Sequence, residues 1–271
     1  LVIVCLYGLI AGIVSNDGGS AIANYAPEVS SGMVFGISMV VASFALGGVI
    51  SADYCRFAKS RGDVVKSSIV GVIPAGLFML MTGALMSIVT GQYDISAILA
   101  SLGVPFIGLV ALVLATWTTN VTNAYSGGLA LSNLLGFDES KFKITTGVAG
   151  GIGTLLAAFG LLNAFQSFLS LMSALIPPLA GVLIASYWIV GNGKKENFAI
   201  RSGFSAIGVV SFAVGAIFAC ITGGTFASFP GLVEALPFLN RPFFVGPVNG
   251  IVVSLVLYVI LAKVFPEKKT A

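Results

Sequence analysis

A chain of 271 residues that is 57% hydrophobic and only 8% charged, with a mean hydropathy of +1.05, cannot be a soluble domain, in which roughly 25% of residues carry charge. Thirteen Lys and Arg against ten Asp and Glu give a net charge of +3, gathered in short clusters, so no basic face for nucleic acid exists either. With no His the commonest metal ligand and general base are missing, and Cys5, Cys55 and Cys220 are far apart and without a C-x-x-C pair, which suggests neither a disulfide framework nor a zinc site.

A bilayer core of about 30 Å takes roughly 20 apolar residues per helix. By that rule the chain divides into eight spans, at 1–14, 32–50, 67–90, 104–135, 144–163, 165–190, 202–223 and 245–265. The first, LVIVCLYGLIAGIV, lacks a basic flank and a small-residue cleavage site, so it reads as a truncated membrane span rather than a signal peptide. A β-barrel would need segments alternating in polarity, and stretches such as GVIPAGLFMLMTGALMSIV do not alternate. The expected fold class is all-α integral membrane, with 1–271 as a single polytopic domain.

The second span carries Gly47-Gly48 beside Ser43 and Phe44. Adjacent glycines lower the cost of unwinding and would expose backbone groups to a solute, or they allow close helix packing through small residues. The fourth span places Thr116, Thr118, Thr119, Asn120, Thr122, Asn123, Tyr125 and Ser126 where an oily segment is expected. Ala115, Thr118 and Thr119 stand at i, i+3, i+4, so two hydroxyls can converge on the carbonyl of residue 115, a set of uncharged oxygens suited to a partly dehydrated Na⁺. Thr116, Asn120 and Asn123 share an adjoining face, where an amide can read the edge of a polar ring. Val113, Trp117, Val121 and Ala124 form the opposite stripe, and Trp117 reads as a packing residue. The alternative is that the hydroxyls bond back to their own helix and Asn bridges neighbouring helices.

Further along, Gly147, Gly151 and Gly153 complete no dinucleotide fingerprint and read as close helix contacts. Pro177-Pro178 inside the sixth span marks either a gating kink or a static bend satisfied by neighbours. The basic residues set the orientation: Arg56, Lys59, Arg61 and Lys66, then Lys141 and Lys143, then Lys194, Lys195 and Arg201, and last Lys263, Lys268 and Lys269 are expected on the cytoplasmic side. The connections between them hold only Arg241, and both ends of the chain then lie in the cytoplasm. The acids (Asp17, Glu28, Asp53, Asp63, Asp94, Asp138, Glu139, Glu196, Glu234 and Glu267) fall in loops or at span ends. No carboxylate relay crosses the membrane, which favours Na⁺ over H⁺ as a coupling ion.

The segment ASFALGGVISADYCRFAKSRGDVV, with Asp53, Tyr54, Arg56 and Phe57, resembles the sixth helix and following loop of the nucleobase:cation symporter family. The run ATWTTNVTNAYSGGLAL, with Trp117, Thr118, Thr119 and Asn120, resembles the eighth helix of the cytosine and purine permeases within it. The resemblance covers the chain as helices five (partial) to twelve and implies a LeuT-type fold: the second of two inverted repeats plus two trailing helices. It implies further that the Ala115 carbonyl and the Thr118 and Thr119 hydroxyls bind Na⁺, and that Asn120 bonds the substrate. Ser43, Phe44 and a break at Gly47-Gly48 would line the site. Ion-binding carbonyls of a first helix and a stacking Trp of a third would come from N-terminal helices outside this sequence. Two positions depart from the cytosine permeases, Leu46 where a polar residue stands and Ala115 where Asn stands. The first leaves room for another purine, a hydroxymethylpyrimidine, a hydantoin or an allantoin-like ring.

The expected function is therefore a multi-pass transporter of the cell (plasma or inner) membrane, carrying a nucleobase-like small molecule with Na⁺, or with H⁺ if an acid outside this sequence supplies it. No other cofactor is expected, the partners are the substrate and the lipid bilayer, and no nucleic acid is bound. A membrane enzyme would need an intramembrane nucleophile, acid–base pair or metal cluster, none of which the spans supply; a channel or passive helical scaffold is the remaining alternative.

Overall fold

The computed structural model describes residues 2–15, 17–27, 32–92, 94–160, 164–194, 197 and 204–265, and for Ser15 and Glu139 the backbone alone. Of the charged residues used above, Glu28, Lys195, Glu196, Arg201, Glu267, Lys268 and Lys269 lie outside the described residues. The described structure is all-helical.

In chain order the helices are α1 (Val2–Ser15), α2 (Gly18–Ala23), α3 (Met33–Cys55), α4 (Arg61–Lys66), α5 (Ile73–Thr90), α6 (Ile95–Ser101) and α7 (Pro105–Leu135). They continue as α8 (Phe142–Ala158), α9 (Phe165–Leu175), α10 (Pro177–Ile184), α11 (Ala206–Thr222), α12 (Pro230–Ala235) and α13 (Gly246–Val264). A π-helical turn, Ser67–Val72, joins α4 to α5, so that helix starts at Arg61, where Ser60 accepts a hydrogen bond from the Asp63 amide. Among the described residues five stretches are long and apolar enough to cross a membrane: Met33–Cys55, Arg61–Thr90, Pro105–Leu135, Phe165–Val190 and Gly246–Val264. Connections between the expected spans contain the short helices α2, α6 and α12. At α6 the Asp94 carboxylate caps the helix by accepting from the Ser96 amide at 2.8 Å and the Ser96 hydroxyl at 2.6 Å. Those bonds hold its carboxyl below the ordinary carboxylate range.

Packing falls into two compact units, Leu1–Val29 with Asp53–Leu156 and Ser30–Ala52 with Ala157–Ala271. A composition apolar throughout holds no linker signal by which to see such a division, and the sequence reading treats the chain as one domain.

In the first unit small residues let helices approach. Met86 lies over Gly8, joining α5 to α1, and Leu99 of α6 is fully buried against Gly108 of α7. Between α7 and α8 the close contact is made by Gly128, where a Cβ would come within 2.8 Å of the Thr146 Cα, and by Gly127 against Ala149. The Ser132 and Thr145 hydroxyls pair there at 2.7 Å. The glycines of α8 do not serve this purpose as expected: a Cβ at Gly147, Gly151 or Gly153 would meet open space. The contacting face of α8 carries Thr145, Thr146 and Ala149 instead, so the glycines on α7 supply the space.

In the second unit α10, α11 and α13 cross through Gly181, Gly215 and Gly250, each too close to a neighbouring helix to accept a Cβ without displacement. The chain bends at Ile176 between α9 and α10, and Pro177 and Pro178 are buried. The Pro178 carbonyl accepts a 2.8 Å hydrogen bond from Ser254 of α13.

Candidate functional site

The polar stretch of α7 lies in the first unit. Hydroxyls within an apolar helix satisfy themselves on carbonyls three or four residues back, and the threonines do so: Thr116 donates to Leu112 and Thr122 to Thr119, each at 2.8 Å. At Ala115 the pattern produces a cluster, because Thr118 and Thr119 both donate to its carbonyl, each at 3.0 Å. These are the bonds back to the helix that the alternative reading expects, and they bring three uncharged oxygens together at the i, i+3, i+4 spacing. Carbonyl and hydroxyl oxygens of this kind can replace part of an alkali ion's hydration shell, and a hydroxyl hydrogen can rotate away to free its lone pairs. Among the described residues no group of three or more His, Cys, Asp or Glu could hold a metal ion.

At about 100° per residue, Asn120 points roughly a quarter turn or more away from that cluster. The cavities reflect this. Ala115 and Thr118 border one of about 450 Å³, otherwise apolar and lined by Val4 of α1 and by Phe106, Val110 and Leu114. Asn120 borders another of about 370 Å³ together with Thr116 and Trp117. Among the described residues the Asn120 amide has no hydrogen-bond partner, and its side chain is exposed, so both donor and acceptor are available. Trp117, expected as a packing residue, is 69% exposed and shares this second cavity. Its stripe opposes Thr118 and Thr119, yet it lies only about 60° around the helix from Asn120.

The α3 candidates belong to the second unit. Ser43 donates back to the Val40 carbonyl at 2.8 Å, and Phe44 is exposed, its ring lying over Gly47. The expected break at Gly47-Gly48 is not there: α3 runs unbroken from Met33 to Cys55. Two helical glycines cost about 1 kcal/mol each relative to Ala, whereas opening the helix would strand backbone groups at several kcal/mol each in an apolar medium. Close packing does not explain Gly48 either, since a Cβ there would meet open space.

The sequence reading of the D-Y-x-R-F signature assigns it no part of the site, and the structure joins two of its residues, Tyr54 and Arg56, to α7. Asp53, Tyr54 and Cys55 form the last turn of α3, which runs past the expected span end at residue 50. The Tyr54 hydroxyl lies 3.2 Å from the Thr122 carbonyl and 2.9 Å from the Ser126 hydroxyl of α7. Arg56 donates to the Tyr125 hydroxyl. The signal in the sequence was the pair of motifs itself; nothing in either one names its partner.

The sequence pattern of the family described as permease for cytosine/purines, uracil, thiamine and allantoin matches residues 1–246. The chain is 29% identical over 273 residues to the cytosine permease of Escherichia coli strain K12, across 99% of this chain and 59% of the relative. To the allantoin permease of Bacillus subtilis strain 168 it is 24% identical over 245 residues, 81% of this chain and 47% of the relative. To the hydantoin permease of Microbacterium maritypicum it is 24% identical over 151 residues, 52% of this chain and 30% of the relative. The chain therefore spans 59% or less of the length of these relatives. A match running from the first residue to the start of α13, on a set of long apolar helices, identifies a multi-pass membrane protein that belongs to the family of permeases for cytosine/purines, uracil, thiamine and allantoin.

Proposed function

We infer that the protein is a secondary active transporter of the cell membrane, coupling entry of a planar nucleobase-like ring to Na⁺. The observation that carries this reading is the convergence of Thr118 and Thr119 on the Ala115 carbonyl, one residue from an exposed Asn120 amide that has no hydrogen-bond partner among the described residues. Ala115, Thr118 and Thr119 are assigned to the ion. Asn120 is assigned to the edge of the ring, and Ser43, Phe44, Gly47 and Gly48 to substrate contacts on α3. The fold assigned is the LeuT type, in which this chain supplies the second inverted repeat and the trailing helices, with the basic loops and both chain ends cytoplasmic. The family's cytosine, allantoin and hydantoin permeases support a heterocycle as cargo. As a second reading, apolar Leu46 beside the candidate site leaves room for another purine, a hydroxymethylpyrimidine, a hydantoin or an allantoin-like ring in place of cytosine.

Competition binding on the intact protein, with a panel of purines, pyrimidines, hydantoins and allantoin, tests both parts. One ring class should bind, more tightly with Na⁺ than with choline. Labelled substrate should exchange against unlabelled substrate across the membrane, which a pore does not do; binding indifferent to Na⁺, or no exchange, would reject the assignment.

A further inference from the structure

The contacts of Tyr54 and Arg56 join two stretches about 70 residues apart in the chain, and neither the ion nor the ring requires them. We propose that these two residues form a polar latch fastening the last turn of α3 to α7 just beyond Asn120, and that the latch opens and closes during the transport cycle. The proposal rests on the transport reading above.

The hydrogen count argues for a designed contact. Tyr54 has one hydrogen; donated to the Thr122 carbonyl at 3.2 Å, it leaves the Tyr54 oxygen to accept from Ser126 at 2.9 Å, so both contacts can be made at once. Thr116, Thr118, Thr119 and Thr122 all bond back to α7, whereas the buried Ser126 hydroxyl pairs across to α3. Arg56 makes a second point of attachment at the adjacent residue, Tyr125, with its guanidinium 4.8 Å from the Phe57 ring centre and 5.9 Å from that of Tyr125. Tyr125 in turn stands edge-on to Phe142 of α8, ring centres 5.4 Å apart. Two adjacent attachments fix the register of the α3 end against α7, the helix that carries the ion and ring candidates. A neutral hydrogen bond such as that of Tyr54 shifts an equilibrium by a few-fold to about tenfold, and one from a charged guanidinium such as Arg56 by more, enough to bias two states.

Cys55, between the two latch residues, supplies a reporter: it is half-buried, whereas Cys5 and Cys220 are buried. Maleimide labelling of the intact protein in membrane vesicles, with Cys55→Ser marking the background, should be about tenfold faster in Tyr54→Phe and in Ser126→Ala. Ser126→Thr, which keeps a hydroxyl, should return it towards the original rate. Because Tyr54 does not touch Asn120, both variants should keep the Kd for the bound ring within about twofold while the maximum exchange rate falls several-fold. Unchanged labelling in both variants, or a loss confined to Kd with the exchange rate intact, would overturn the latch. Failure of the unaltered protein to exchange any ring would overturn the transport reading instead, and the labelling comparison separates the two failures.

Discussion

Thr119 and Asn120 are neighbours in the chain with different chemistry aimed in different directions, so single substitutions can tell ion from ring. Thr119→Ala removes one of two hydroxyls at the Ala115 carbonyl and leaves Thr118 in place. It should raise the Na⁺ concentration needed for half-maximal ring binding by about tenfold, the order expected for one lost polar interaction. The exposed helix turn should be otherwise intact, and an unaltered Na⁺ dependence would exclude the ion assignment. Asn120→Ala removes an amide that holds up none of the described structure, so the protein should still reach the membrane while uptake is abolished. Retained uptake at ordinary affinity would remove Asn120 from the site. The cluster at Ala115 was legible in the sequence because helical spacing fixes which side chains can share a carbonyl. The Tyr54–Ser126 pair was not, because spacing within one helix says nothing about a partner about 70 residues away.

At the scale of elements, hydropathy located the long helices, since a continuous apolar run needs no tertiary information. It missed what local polar chemistry adds at their ends. The α3 helix extends through the Asp53-Tyr54 turn, and α6 forms inside a presumed loop because Asp94 caps it and Leu99 finds a gap over Gly108. The glycines of α3 are the more instructive case. Gly48 has open space at its Cβ, while a Cβ at Gly47 would press on the Phe44 ring at 3.2 Å. For a purely structural helix, Gly48→Ala should stabilise by about 1 kcal/mol, a rise of roughly 2–4 °C in melting midpoint for a protein of this size. If α3 must loosen at this point to admit a ring, the same substitution should slow exchange as it raises the midpoint. A higher midpoint with exchange unchanged would leave Gly48 without a functional role.

For the molecule as a whole, the strongest consequence of placing Ala115, Thr118, Thr119 and Asn120 on one helix is thermodynamic. On the proposed reading, an ion in the oxygen cluster would constrain the same turns of α7 that present the amide, and the ordering cost of binding would be shared between ion and ring. Coupling of this origin is reciprocal: whatever factor Na⁺ adds to ring affinity, the ring must add to Na⁺ affinity. For a coupling of 1–3 kcal/mol, which is typical, that factor is about 5–150. Calorimetric titration of the ring at two Na⁺ concentrations, and of Na⁺ with and without saturating ring, should return the same factor. In Thr119→Ala both factors should shrink together towards one. In Tyr54→Phe they should survive, because the latch lies beyond the shared turns and biases the conformational equilibrium rather than either binding step. Equal loss of coupling in the two variants would mean that α7 responds to the whole fold, and the division between binding turns and latch would have to be abandoned.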